Sequence, residues 1–141
     1  MKYLGIDYGS KRIGVAVSDE SATLAFPLGV VVAGGKALGE VLDIIKENGV
    51  KIAVMGESMN FKQEKNPIMK EAEAFAEMLQ AHQVAVVFEP EFMTSAQATR
   101  LEGKSHRPRQ REESRAVAEK LDASAAALIL QSYLDRMRKG Q

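Results

Sequence analysis

The hydrophobic positions of this chain change period along its length, and the changes mark out its elements. Two short apolar runs, Tyr3–Ile6 and Ile13–Val17, flank a turn containing Gly9 and Ser10. The second run is apolar at nearly every position, as a strand buried on both faces is. A third, Leu28–Val32, follows Pro27 and stops at Gly34-Gly35, so three strands joined by turns open the chain. Leu38, Val41, Leu42 and Ile45 then recur at helical spacing and predict an amphipathic helix ended by Asn48-Gly49. Ile52–Met55 reads as a short buried strand stopping at Gly56. Asn66 and Pro67 suit the N-cap and first position of a second helix bearing Ile68, Ala72, Phe75 and Leu79. Val84–Phe88 reads as a fifth strand closed by Glu89-Pro90-Glu91, and Ala96–Leu101 has room for a turn or two of helix. From Asp122 to Leu130 the chain is apolar around most of its circumference. Ala126, Leu130, Tyr133 and Met137 share one stripe there, which predicts a buried last helix.

The order βββαβαβα predicts an α/β fold, a mixed five-stranded sheet with helices on both faces. Ligands of such sheets sit outside the carboxyl ends of strands. Asp7, Glu57, Glu89 and Glu91 all fall just past the predicted ends of strands one, four and five. That shared location points to a site built from acids.

Composition narrows the class. A chain of 141 residues, 45% hydrophobic and 27% charged, is long enough for one domain with a sizeable core. No apolar run approaches the ~20 residues of a membrane span, and the absence of cysteine excludes disulfides and thiolate zinc sites. A cytoplasmic protein without a membrane association fits these features. Nineteen basic and nineteen acidic side chains cancel, so a polyanion has to be met by a local patch. Two are present. Lys11 and Arg12 follow Asp7 closely, and Lys104, Arg107, Arg109 and Arg111 lie in a stretch with no acid, read as a mobile basic loop over about 103–112. Glu112–Lys120 after it reads as weakly helical.

Acids grouped in this way suit a hard cation such as Mg²⁺ or Mn²⁺, which takes carboxylate oxygens, waters and substrate phosphates. Two such ions can activate water and stabilise the leaving oxygen of a phosphodiester. Each residue also has a plainer reading. Asp7 before a glycine-containing turn is a turn former, and Asp122 at the start of an Ala-rich helix is an N-cap. Glu57 and Glu89 read equally as solvated loop acids, Lys11 and Arg12 as turn charges, and the basic stretch as a solvated connection. His82 and His106 are isolated, and nothing near either marks a catalytic base.

The residues themselves carry a resemblance. GIDYGSKRIGVAVSD (5–19) resembles the opening of the YqgF/RuvX family of pre-16S rRNA nucleases and Holliday-junction resolvase-like proteins. FEPEFMTSAQA is similar to that family's second acidic motif, and LDASAAALILQSYLD to its closing motif. The resemblance runs from Lys2 to Asp135 and implies a single RNase H-like nuclease domain over 1–141. It implies a catalytic, metal-binding triad of Asp7, Glu91 and Asp122, with Mg²⁺ or Mn²⁺ as cofactor. Lys11, Arg12, Lys104, Arg107, Arg109 and Arg111 would then hold a nucleic-acid backbone. Two departures stand out: Phe92 replaces the arginine that usually follows the second acid, and Gly56-Glu57-Ser58 replaces Gly-Leu-Pro. Related resolvases place an acid at that strand end, so Glu57 is an alternative ligand beside Glu91.

The expected function is a hydrolase acting on ester bonds: an endonuclease maturing the 5′ end of precursor 16S rRNA, working on a ribosomal precursor particle. A junction-resolving DNA nuclease and a nucleic-acid-binding factor without turnover are the alternatives. A sugar-kinase or actin-like ATPase also opens on Asp-x-Gly-Ser, but needs a second lobe and a later Gly-rich phosphate loop that this chain lacks. No apolar surface stripe predicts a two-fold partner, so a monomer or weak dimer is expected.

Overall fold

The opening hairpin of the computed structural model pairs β1 (Lys2–Tyr8) with β2 (Arg12–Ser18), antiparallel, with Asp7 opposite Gly14 and Ile6 opposite Val15. The structure describes residues 1–58, 68–91 and 111–139, and for Ser58, Glu91 and residues 111–121 the backbone alone. β3 (Ala25–Val32) continues the meander beside β2. α1 (Ala37–Asn48) then crosses back to β4 (Val50–Ser58), parallel to β1, and α2 (Met69–Ala81) leads to β5 (Ala85–Glu91), parallel to β4. A single 29-residue helix, α3 (Arg111–Lys139), ends the fold. The sheet order is β3-β2-β1-β4-β5. This is the mixed five-stranded sheet that the hydrophobic pattern predicts.

Strand alternation divides the core in two. Leu4, Ile6, Ile13, Val15, Ala53 and Met55 face one side and pack against Val41 and Ile45 of α1 and Phe75 and Leu79 of α2. Tyr3, Ala16 and Val54 face the other, where Ala126, Ile129, Leu130 and Leu134 of α3 cover them. Helices therefore lie on both faces, and α3 is the described helix on the second. Beside the apolar contact of Ala25, the Gln131 carboxamide ties the start of the edge strand to α3: it accepts from the Ala25 N–H (2.9 Å) and donates to the Thr23 carbonyl (2.9 Å), imitating a further strand. α1 ends where the sequence predicts, at Gly49, whose φ of 67° favours glycine. Among the described residues, no helix is long and apolar enough to cross a membrane.

Three expectations need correction. The strands run further than the apolar runs, so Asp7, Glu57, Glu89 and Glu91 lie within the last three residues of their strands rather than in loops beyond them. Asp122 does not head a helix. α3 begins at Arg111, so Asp122 lies about three turns inside it and cannot be its N-cap. Arg111 and Glu112, assigned to the basic loop, belong to that helix, as does Glu112–Lys120. The Asn66-Pro67 cap, the Ala96–Leu101 turn, Phe92, His106, and Lys104, Arg107 and Arg109 of the basic stretch lie outside the described residues.

Candidate active site

Two glycines determine where the last helix meets the sheet. Gly5 of β1 lies beneath α3, and a Cβ there would come within 2.7 Å of the Ala126 carbonyl oxygen and 2.8 Å of Leu130 Cβ. Gly14 of β2 is tighter still: a Cβ would stand 2.0 Å from the carbonyl oxygen of Asp122. Glycine within a strand marks such a close backbone approach. Because Gly14 is also the ladder partner of Asp7, both acids adjoin the same glycine. Asp7 shares the face of Gly5 by alternation, so it looks toward α3 from the carboxyl end of β1. Asp7 and Asp122 thus both lie beside Gly14, at the carboxyl end of β1. Both are half-buried.

Asp122 is held from the sheet. Arg12, the first residue of β2, donates from Nε to Asp122 Oδ2 across 2.8 Å, forming an ion pair with 34% and 20% of the two side chains exposed. The sequence offers Arg12 as a turn charge or phosphate guide; the structure makes it the partner of the third acid. Lys11 beside it is exposed, with its carbonyl accepting from Ala33 N–H at 3.0 Å.

The other acids are placed differently from one another. Glu91 is the last residue of β5, paired with Ser58, and only β4 stands between that strand and β1, roughly 10 Å for two strand spacings. Its side chain is outside the described atoms. Glu57 shares the face of Met55 and lines a cavity of about 310 Å³ with Glu73, Glu77, Gln80 and Phe88, on the α2 side of the sheet. The sheet lies between it and Asp122, so the structure does not bring Glu57 to the pair. Glu89 is only 5% exposed, accepts from Ser132 Oγ at 3.1 Å and forms a short ion pair with Arg136, whose guanidinium also lies 5.9 Å over the Tyr133 ring. That network ties β5 to α3. Tyr8, next to Asp7, points to the α2 side with its ring 5.3 Å from Phe75, and burial, helped by Glu71, raises its phenol above the ordinary range.

Among the described side chains, no three acids or histidines group closely enough to hold an ion. Two of the expected triad do converge, and their donors are carboxylate oxygens, the type that Mg²⁺ and Mn²⁺ take. The donor chemistry fits such an ion. Sequence reading found both acids but missed Gly14 and the Arg12 contact; a glycine inside a strand and a cation two positions before it are the available signals.

The family model described as "RuvX: Holliday junction resolvase" matches residues 1–136. The chain belongs to the RuvX family. Relatives named "Putative pre-16S rRNA nuclease" include one from Sulfurihydrogenibium sp., 33% identical over 96% of this chain and 91% of its own length. Another, from Desulforudis audaxviator, is 33% identical over 100% and 99%. Among solved structures, Thermus thermophilus RuvC matches with a TM-score of 0.53 at 18% identity, over 97% of this chain and 96% of its own. Fowlpox virus Holliday junction resolvase matches at 0.54 and 13%, over 97% and 99%. These likenesses establish the fold of this RuvX member as RNase H-like. Membership also places it among the nucleases, hydrolases of phosphodiester bonds.

Proposed function

We propose that this RuvX chain is a divalent-metal-dependent endonuclease acting on structured RNA, with the 5′ end of precursor 16S rRNA as its substrate. The carrying observation is that Asp7 and Asp122 both adjoin Gly14 at the carboxyl end of β1. Asp7, Asp122 and Glu91 would hold Mg²⁺ or Mn²⁺. The chemistry such an ion supplies when bound is activation of the attacking water and neutralisation of charge on the departing oxygen. The protein's own part is to fix the acids on rigid elements, two strands and one long helix, so that they need no rearrangement when substrate arrives. Lys11, with Lys104, Arg107, Arg109 and Arg111, holds the phosphate backbone, while Arg12 is paired with Asp122. With the chain's net charge at zero, these contacts are local and weaken steeply with salt.

The relatives' printed name supports rRNA as substrate. A second reading, cleavage of DNA junctions, follows the description of the matched family and requires a two-fold dimer for symmetric cuts. One experiment separates them: a precursor 16S rRNA fragment and a four-way DNA junction, each incubated with wild type and Asp7→Asn in Mg²⁺ or Mn²⁺. The expected result is cleavage of the RNA by wild type, slowed by about 100-fold or more in the variant. Equal rates in the two proteins overturn the site. Cleavage of the junction alone replaces the substrate.

A further inference from the structure

The contact between Arg12 and Asp122 joins residues 110 positions apart and is the one hydrogen bond that either side chain makes among the described residues. Asp122 needs it. Its stripe on α3 continues through Ala126, Leu130 and Leu134, all fully buried, so the carboxylate occupies the sheet-facing side of the helix. A charge on such a face is costly without a partner. Nor does the helix itself supply one, since the free N–H groups of α3 lie in its first turn, about three turns away. Arg12 reaches Asp122 because β2 presents it on the face of Gly14, where helix and strand touch. The bond engages Oδ2 alone and leaves Oδ1 without a hydrogen bond among the described residues.

We propose that Arg12 is the positioning residue of the metal site: by holding Oδ2, it fixes the carboxylate of Asp122 so that Oδ1 is presented to the ion. This rests on the metal-dependent reading above. Carboxylates that ligate metals are themselves hydrogen-bonded, and removing the outer partner typically costs 10–100-fold in affinity. A guanidinium beside a cation also repels it. Solvent reaches this pair, with 34% and 20% of the two side chains exposed, so the repulsion is screened while the loss of a fixed orientation is not. The orienting effect therefore dominates, and removing Arg12 weakens metal binding rather than strengthening it.

The test is calorimetric titration of wild type, Arg12→Ala, Arg12→Gln and Asp122→Asn with Mn²⁺ alone, with a thermal melt of each metal-free protein as the check on folding. Arg12→Ala should bind Mn²⁺ about 10- to 100-fold more weakly. Arg12→Gln, which keeps an N–H donor without the charge, should recover part of the loss. Should the alanine variant fail to fold, Arg12→Lys takes its place, keeping the charge without the planar donor. If Asp122→Asn loses the ion while the Arg12 variants bind it as tightly as wild type or tighter, the positioning role is overturned and the metal site stands. If wild type binds no Mn²⁺, or binds it no better than Asp122→Asn, the metal reading falls and the proposal with it.

Discussion

Gly14 and Asp122 touch backbone to backbone: a Cβ on the glycine would lie 2.0 Å from the aspartate's carbonyl oxygen. No side chain fits between strand and helix at that point. Gly14→Ala therefore forces α3 away from β2 by about 1 Å or more, an overpacking that costs roughly 1–3 kcal/mol. The displaced residue is an acid of the proposed site, and a shift of about 1 Å is enough to slow a reaction around 100-fold. Denaturant midpoints, with cleavage rates normalised to folded protein, should show both effects. Full activity in a folded Gly14→Ala variant would mean that the approach of Asp122 to Asp7 is not what the reaction uses.

Glu57 and Asp122 lie on opposite faces of the sheet. Glu57→Gln should leave Mn²⁺ affinity within about two-fold of wild type, since a carboxylate there contributes only screened, long-range charge. A ten-fold weakening in the same titration would place Glu57 among the ligands and require a different arrangement of β4.

Glu89 and Arg136 carry stability rather than chemistry. The carboxylate is 5% exposed, and Ser132 and Arg136 are its partners. Arg136→Ala leaves a buried charge with one hydroxyl for company and should destabilise the fold by about 1–3 kcal/mol in chemical denaturation. Arg136 is itself 58% exposed, which keeps the loss below that of a fully buried pair. Cleavage per folded molecule should be unchanged.

Asp19 makes stability depend on acid. The Thr23 backbone N–H (2.8 Å) is the main cause that holds its carboxyl below the ordinary value of 3.8, with further help from Leu24 N–H and Ser21 Oγ. The folded state thus favours the ionised form. The stabilisation is present above the unfolded value and is lost as pH falls through the lower folded one. Asp135 acts in the same sense, through Gln131 first and then Arg138. Asp19→Asn should show a smaller fall in melting temperature than wild type between about pH 5 and pH 2. Equal slopes in the two proteins would show that this turn is not formed.

The sheet was legible because its strands announce themselves as apolar runs, and α1 because its period and its Asn48-Gly49 stop agree. The faces of the acids were less so. With β4 ended at Gly56, Glu57 reads as a loop residue free to turn either way; as the eighth residue of a strand running to Ser58, it must follow Met55 to the α2 side. Asp122 reads as a helix start because the apolar stretch begins there, yet the helix extends upstream through the polar segment from Arg111, which no hydrophobic stripe marks. Arg12 illustrates the remaining gap. Its partner is 110 residues away, and only the packing of α3 onto two glycines brings them together.

That packing has a consequence for how the protein is made. Every strand precedes α3 in the chain, and α3 carries both the cover of the sheet's second face and Asp122. A nascent chain with all five strands emerged still has that face bare and one acid missing. Docking of the helix covers that face and brings Asp122 to Gly14 in the same event, so with the proposed site the capacity to cut nucleic acid depends on the packing of the helix that closes the sheet.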